Sequence, residues 1–195
     1  DRSVGAFILQ APIGSGGSGF AFKAWNPALG RQVCVKIFRP MRADFAAVAA
    51  TIARAVRALA AIDHPHIIKV FDFGPFRLSD ASSFYLAMEF IDGITLDEWS
   101  RSLADSDSSF EQRLDLALKL TIALETAHNC RYLDDVGFEQ AGLLHGDIKP
   151  TNVLVRRDNS PVLLDFMMAD VQRLLNLWQP TGFSRYLITA ACGTP

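Results

Sequence analysis

The character of this 195-residue chain changes at Ile94, from strand-rich to helical, and that change constrains the fold more than any other feature. Residues 7–38 carry strand character in FILQAPI, FAFKAW and RQVCVKIF, with turns at Gly14–Gly19 and Asn26–Gly30. An Ala-rich stretch from Arg42 to Ala61 has strong helix propensity and is closed by Pro65. HIIKVFDFG and SSFYLAMEF read as two more strands. From Ile94 onward, TLDEWSRSL and FEQRLDLALKLTIALETAH are amphipathic helical segments. The expected fold is α+β in two parts, an antiparallel sheet with one helix over 1–91 and a mainly helical part over 92–195. FIDGIT, 90–95, is the expected hinge.

Bulk properties narrow the function. Half the residues (50%) are hydrophobic, enough for a core in one domain or two small lobes. A net charge of −2 gives no electrostatic reason to expect a nucleic-acid partner or an acidic membrane. No signal peptide is visible, and no uninterrupted apolar run reaches about 18 residues, so no membrane span is expected in this segment. Cys34, Cys130 and Cys192 are odd in number and scattered without metal-ligand spacing. That usage suits a reduced, cytoplasmic setting.

Chemistry concentrates in LLHGDIKPTNVLV, 143–155, where Asp147, Lys149 and Asn152 interrupt apolar runs. Pro150 excludes a helix across the middle. Leu143–Leu144 and Val153–Leu154–Val155 read as short strands, which leaves the polar residues on a connection at the mouth of a core.

Three further motifs accompany it. In IGSGGSGFAFKA, Gly14, Gly16 and Gly19 form a G-x-G-x-x-G pattern, but FAFKAW alternates like a strand where a dinucleotide fold needs a helix. Such glycines let backbone N–H groups approach a phosphate, and they equally suit a flexible hairpin turn. Lys36 sits in the apolar strand VCVKIF, either meeting a carboxylate or a phosphate or snorkelling to the surface. Asp165 follows a buried-looking strand in VLLDFMMAD, placed like a metal-ligating carboxylate or an ordinary strand end, with Phe166 packing into the core.

The four motifs in this order, with IDHPHIIKVFDFG between them, make the chain resemble a protein kinase of the bacterial Ser/Thr type. The resemblance implies a two-lobed kinase fold, ATP and Mg2+ as cofactors, and a protein substrate. Gly14, Gly16 and Gly19 would cover the ATP phosphates, and Lys36 would hold the α- and β-phosphates. Asp147 would orient the substrate hydroxyl and accept its proton, and Lys149 would neutralise γ-phosphate charge. Asn152 and Asp165 would hold magnesium. Adenine would lie against Ile13, Ala21, Cys34 and Leu154, its edge read by backbone groups of Glu89 and Ile91, with Met88 behind.

Several positions depart from the family pattern. Gly146 stands where His-Arg-Asp has Arg, which argues against control through a phosphorylated activation segment. Met167 replaces the Gly of D-F-G. No Glu precedes Glu89, and Ala55 falls near the place of the helix Glu that pairs with the strand Lys. Asp44 is too short and too far along to replace it. The chain reaches GTP at 193–195, where the family continues into substrate-docking helices, so a dimer, a partner or further chain covering the helical part is expected. Three functions compete: an ATP-dependent Ser/Thr protein kinase with an atypical regulatory helix, a pseudokinase acting as a nucleotide-binding or interaction scaffold, and a small-molecule phosphotransferase of related fold.

Overall fold

The structure is a computed structural model that describes residues 3–17, 19–39, 45–78, 81–103 and 107–166. Asp44, Met167, Cys192 and the GTP at 193–195 lie outside the described residues. The described chain forms two compact units. The first holds described residues within 3–53 and 70–90, and the second those within 54–69 and 91–166.

The first unit is built on an antiparallel sheet. Its strands are β1 (Ser3–Val4), β2 (Phe7–Ser15), β3 (Gly19–Asn26), β4 (Arg31–Phe38), β5 (Val70–Leu78) and β6 (Ala81–Glu89), in the order β1-β2-β3-β4-β6-β5. Strict alternation in β3 turns Phe20, Phe22 and Ala24 to one face, where they join Val33, Val35, Ile37, Tyr85 and Ala87 in a buried cluster. Helix α1 (Phe45–Ala60) begins in this unit and ends in the second. Val48, Ile52, Ala55 and Leu59 recur at helical spacing as its buried stripe.

The second unit carries β7 (Gly93–Thr95), α2 (Leu96–Ser102), α3 (Asp107–His128), β8 (Arg131–Leu133), β9 (Glu139–Ala141), a 3-10 turn (Pro150–Asn152), β10 (Val153–Arg156) and β11 (Pro161–Leu163). Thr95 caps α2 with a full capping box to Glu98, so the polar pair in TLDE sets where the helix starts. Trp99, Leu116 and Val155 join α2 and α3 to β10. The opposite side of α3 leaves Phe110, Leu114, Leu118 and Ile122 exposed, four residues apart along one stripe.

Two expected strands shift. Residues 66–69 of HIIKVFDFG do not pair in the first sheet. Ile68 donates to the Leu163 carbonyl and the Leu163 N–H to the His66 carbonyl, and β5 begins only at Val70. Leu143–Leu144 is not a strand at all. Gly142 and Gly146, both at φ 78°, turn the backbone on either side of it, which denies the segment a ladder partner. Leu143 is buried and donates its N–H to the Ala127 carbonyl, whereas Leu144 is 70% exposed rather than buried. The hairpin β8–β9 has no counterpart in the sequence reading. Its signal was DDVG at 134–137, a turn between two short alternating runs.

Candidate functional site

The expected site residues fall into a group in each unit. In the first, the strand register decides which of them meet. Directly paired residues share a face of a sheet, and successive residues alternate. Gly14 pairs with Ala21, Ala21 with Lys36, and Cys34 with Met88. These five residues therefore line one face, opposite the face that carries the Phe22–Val35–Ala87 core row. Glu89 ends β6, paired with Val33. Ile13 lies in a register shift of β2 and is half exposed.

Lys36 is only 7% exposed, so the snorkelling alternative does not hold. Its ammonium lies 5.9 Å from the centroid of the Phe38 ring, two residues along on the same face.

The glycines of the G-x-G-x-x-G stretch differ in why each is glycine. Gly16 and Gly19 close the β2–β3 turn by exchanging backbone hydrogen bonds of 2.9 and 3.3 Å. A Cβ on Gly19 would meet the Ile37 carbonyl oxygen at 2.2 Å, so packing of β3 against β4 alone requires that glycine. A Cβ on Gly16 meets nothing within 4 Å, and one on Gly14 meets only the Ala21 Cβ at 3.9 Å. Nothing among the described residues demands glycine at 16, which leaves room for a ligand to approach the backbone. Gly19→Ala should therefore lower stability by about 1–3 kcal/mol, while Gly16→Ala stays within about 0.5 kcal/mol, as read from urea midpoints.

In the second unit the polar residues of 143–155 converge. The Asp147 carboxylate accepts from Lys149 Nζ at 2.6 Å and from Asn152 Nδ2 at 3.0 Å, and Asn152 Nδ2 also donates to the Asp147 carbonyl at 2.8 Å. The Lys149 hydrogen bond holds the Asp147 carboxyl below the usual carboxylate range, with Asn152 adding to it, so Asp147 is ionised at neutral pH. Lys149 itself is exposed and Asn152 buried. With its Nδ2 committed to Asp147, Asn152 keeps Oδ1 available to a hard cation, and Leu164 N–H donates to the Asn152 carbonyl, which ties Asp165 one residue away. Asp165 adopts φ 59°, a left-handed conformation that costs a non-glycine residue about 1–2 kcal/mol and is concentrated at functional sites. Asn152 and Asp165 are oxygen donors of the type a hard divalent cation takes. Leu154 is half-buried on the face of β10 opposite Val153 and Val155, and Ile91 is buried.

The sequence reading assigned His145 no role, and the structure shows it as the connection between these segments. Its Nδ1 accepts from the Asp147 N–H at 3.2 Å, so its Nε2 carries the proton and donates to the Leu164 carbonyl at 2.6 Å. Its ring lies 4.7 Å from that of Phe166. Burial pushes the imidazole pKa down, consistent with a neutral ring. One buried side chain thereby sets the spacing between the Asp147 loop and the Asp165 segment.

Comparison with known proteins bears on the chain as a whole. The family model "Protein kinase domain" matches residues 7–190. A probable serine/threonine-protein kinase of Streptomyces coelicolor is 32% identical over 170 residues, covering 86% of this chain and 23% of its own length. The serine/threonine-protein kinase PknF of Mycobacterium tuberculosis is 31% identical over 170 residues, covering 84% of this chain and 32% of its own. The chain thus spans less than a third of the length of these relatives. Among solved structures, a mutant PknI kinase domain of Mycobacterium tuberculosis matches with a TM-score of 0.67 at 24% identity, covering 84% of this chain and 59% of that one. The apo form of PpkA-294 matches with a TM-score of 0.65 at 22% identity, covering 99% of this chain and 78% of that one. At such identities the two structures speak to the fold alone. A family match across nearly the whole chain, on a fold shared with kinase domains, places this chain in the protein kinase domain family, with bacterial serine/threonine kinases among its relatives.

Proposed function

We propose that this domain transfers the γ-phosphoryl group of ATP to serine or threonine hydroxyls of protein substrates. The observation that carries the reading is Asp147, an ionised carboxylate held by Lys149 and Asn152 beside the left-handed Asp165. The substrate hydroxyl gives its proton to Asp147 as its oxygen bonds to the γ-phosphorus, and the bond to the bridging oxygen breaks to leave ADP. Lys149 neutralises charge on the transferred group, and Lys36 holds the α- and β-phosphates. Gly14, Gly16 and Gly19 present backbone to the phosphates. Ile13, Ala21, Cys34 and Leu154 enclose adenine, with Met88 behind it and Glu89 and Ile91 reading its edge. Asn152 and Asp165 would hold Mg2+, which would supply charge neutralisation at the phosphates. We take 1–91 and 92–195 as the two lobes, and the exposed α3 stripe as a surface for further chain or a partner.

A second reading, a nucleotide-binding or interaction scaffold without activity, is favoured by one feature. Helix α1 contains no acidic residue, so it offers no carboxylate to fix Lys36, and misplacement of a catalytic group costs orders of magnitude in rate.

The test combines thermal shift with phosphotransfer. At ATP about 100-fold above Kd, binding adds about 2.7 kcal/mol, which moves Tm by several degrees in a domain of this size. A magnesium-dependent shift together with labelled acceptor protein supports the kinase. A shift without transfer supports the scaffold, and no shift at millimolar ATP removes nucleotide from both readings.

A further inference from the structure

The structure assigns Arg39 as the positioning residue that holds the glycine loop in its anion-receiving orientation. This role rests on the nucleotide reading above. Arg39 follows β4, the strand that carries Lys36, three residues beyond that lysine. Its guanidinium reaches back across the β2–β3 hairpin, with Nε donating to the Gly17 carbonyl at 3.1 Å and Nη2 to the Gly16 carbonyl at 3.2 Å. Its central carbon also lies 5.0 Å from the centroid of the Phe20 ring, which keeps the fork over the loop. One side chain thus binds two successive carbonyls of the turn, adding to the backbone hydrogen bonds that Gly16 and Gly19 exchange.

The consequence follows from peptide geometry. In a trans peptide the carbonyl oxygen and the next N–H point in opposite directions. Arg39 and the Gly19 N–H both hold the Gly16 oxygen, which keeps the Gly17 N–H turned the other way. Carbonyl oxygens aimed at a polyphosphate repel it and N–H groups attract it, so the fork removes the repelling groups and presents the attracting one. A lysine cannot reproduce this arrangement, because an ammonium is a point donor without the planar fork. Arg39 therefore acts on phosphate through the loop backbone and leaves adenosine binding untouched.

The experiment compares wild type with Arg39→Ala and Arg39→Lys in two measurements. Amide exchange of peptides covering 14–20, without nucleotide, reads the clamp itself and should accelerate in both variants. Titration with Mg-ATP, Mg-ADP and adenosine reads the consequence. Arg39→Ala should weaken ATP and ADP about tenfold and leave adenosine unchanged, with kcat falling less than KM for ATP rises. Unchanged loop exchange overturns the clamp. Equal weakening of adenosine and ATP overturns the phosphate role, and full ATP affinity in Arg39→Lys overturns the need for the fork. If wild type binds adenosine but gains nothing from the phosphates, the positioning role falls while the nucleotide reading survives. If it binds none of the three, the nucleotide reading falls first, and the exchange measurement still decides the clamp.

Discussion

Asp147→Asn is expected to lower kcat for phosphotransfer by about 10²–10⁴-fold while leaving the domain folded. Asparagine matches the shape of aspartate, and its oxygen can still accept from Lys149 Nζ, the partner now 2.6 Å from the carboxylate. The Asn152 amide can likewise keep its bond to the backbone carbonyl at 147. What disappears is an ionised group able to take a proton. Lys149 keeps that group ionised by stabilising its charged form, so the wild-type carboxylate is ready at neutral pH and the amide never is. Steady-state kinetics with a saturating acceptor, beside a thermal melt, separates the two effects. A variant with wild-type kcat would move the proton acceptor to another residue and sink the assignment of Asp147.

His145→Ala should have the largest effect on stability, about 3 kcal/mol. It removes a 2%-exposed ring packed against Phe166 and strands the Leu164 carbonyl and the Asp147 N–H without their partners. Activity should fall about 10²-fold as well, because the Asp147 loop and the Asp165 segment lose their common spacer. The wild-type protein carries a pH signature of the same residue. The folded-state pKa of His145 is depressed, so the unfolded chain binds the proton more readily. Stability is therefore complete above the ordinary imidazole value of 6.5 and declines as pH falls below it, until the folded-state pKa is reached. The slope contributed by one such group is at most about 1.4 kcal/mol per pH unit. His64 is depressed by burial too and adds the same sign, so the informative quantity is the difference between wild type and His145→Phe. Urea unfolding at several pH values from 7.5 down to 5 should show a shallower decline in the variant. Equal slopes would mean that His145 is protonated in the fold and bonded differently.

The local chemistry was legible without coordinates. Alternation in FAFKAW and VCVKIF announced the strands of a sheet with two distinct faces, and those strands formed as β3 and β4. Pro150 excluded a helix, and the chain around it is a 3-10 turn leading into a strand, with Asp147, Lys149 and Asn152 on the connection. Period, proline and polar spacing are properties of neighbouring residues, and short-range physics acts on them directly.

Other features depended on residues far apart in the chain. Lys36 could be a surface residue or a buried one until β3 and β6 flanked it on both sides. Gly19 looked like part of a phosphate motif, yet the Ile37 carbonyl already excludes any side chain there. Leu143–Leu144 had strand composition and found no ladder, because the glycines at 142 and 146 turn the chain away. His145 meets Leu164 across 19 positions, and Arg39 meets Gly16 across 23. A strand needs a partner, a buried charge needs neighbours and a hydrogen bond needs both ends in place. Sequence determined which groups were available, and only the folded chain decided which of them meet, because contact energies between distant residues exist only once the backbone has brought them together.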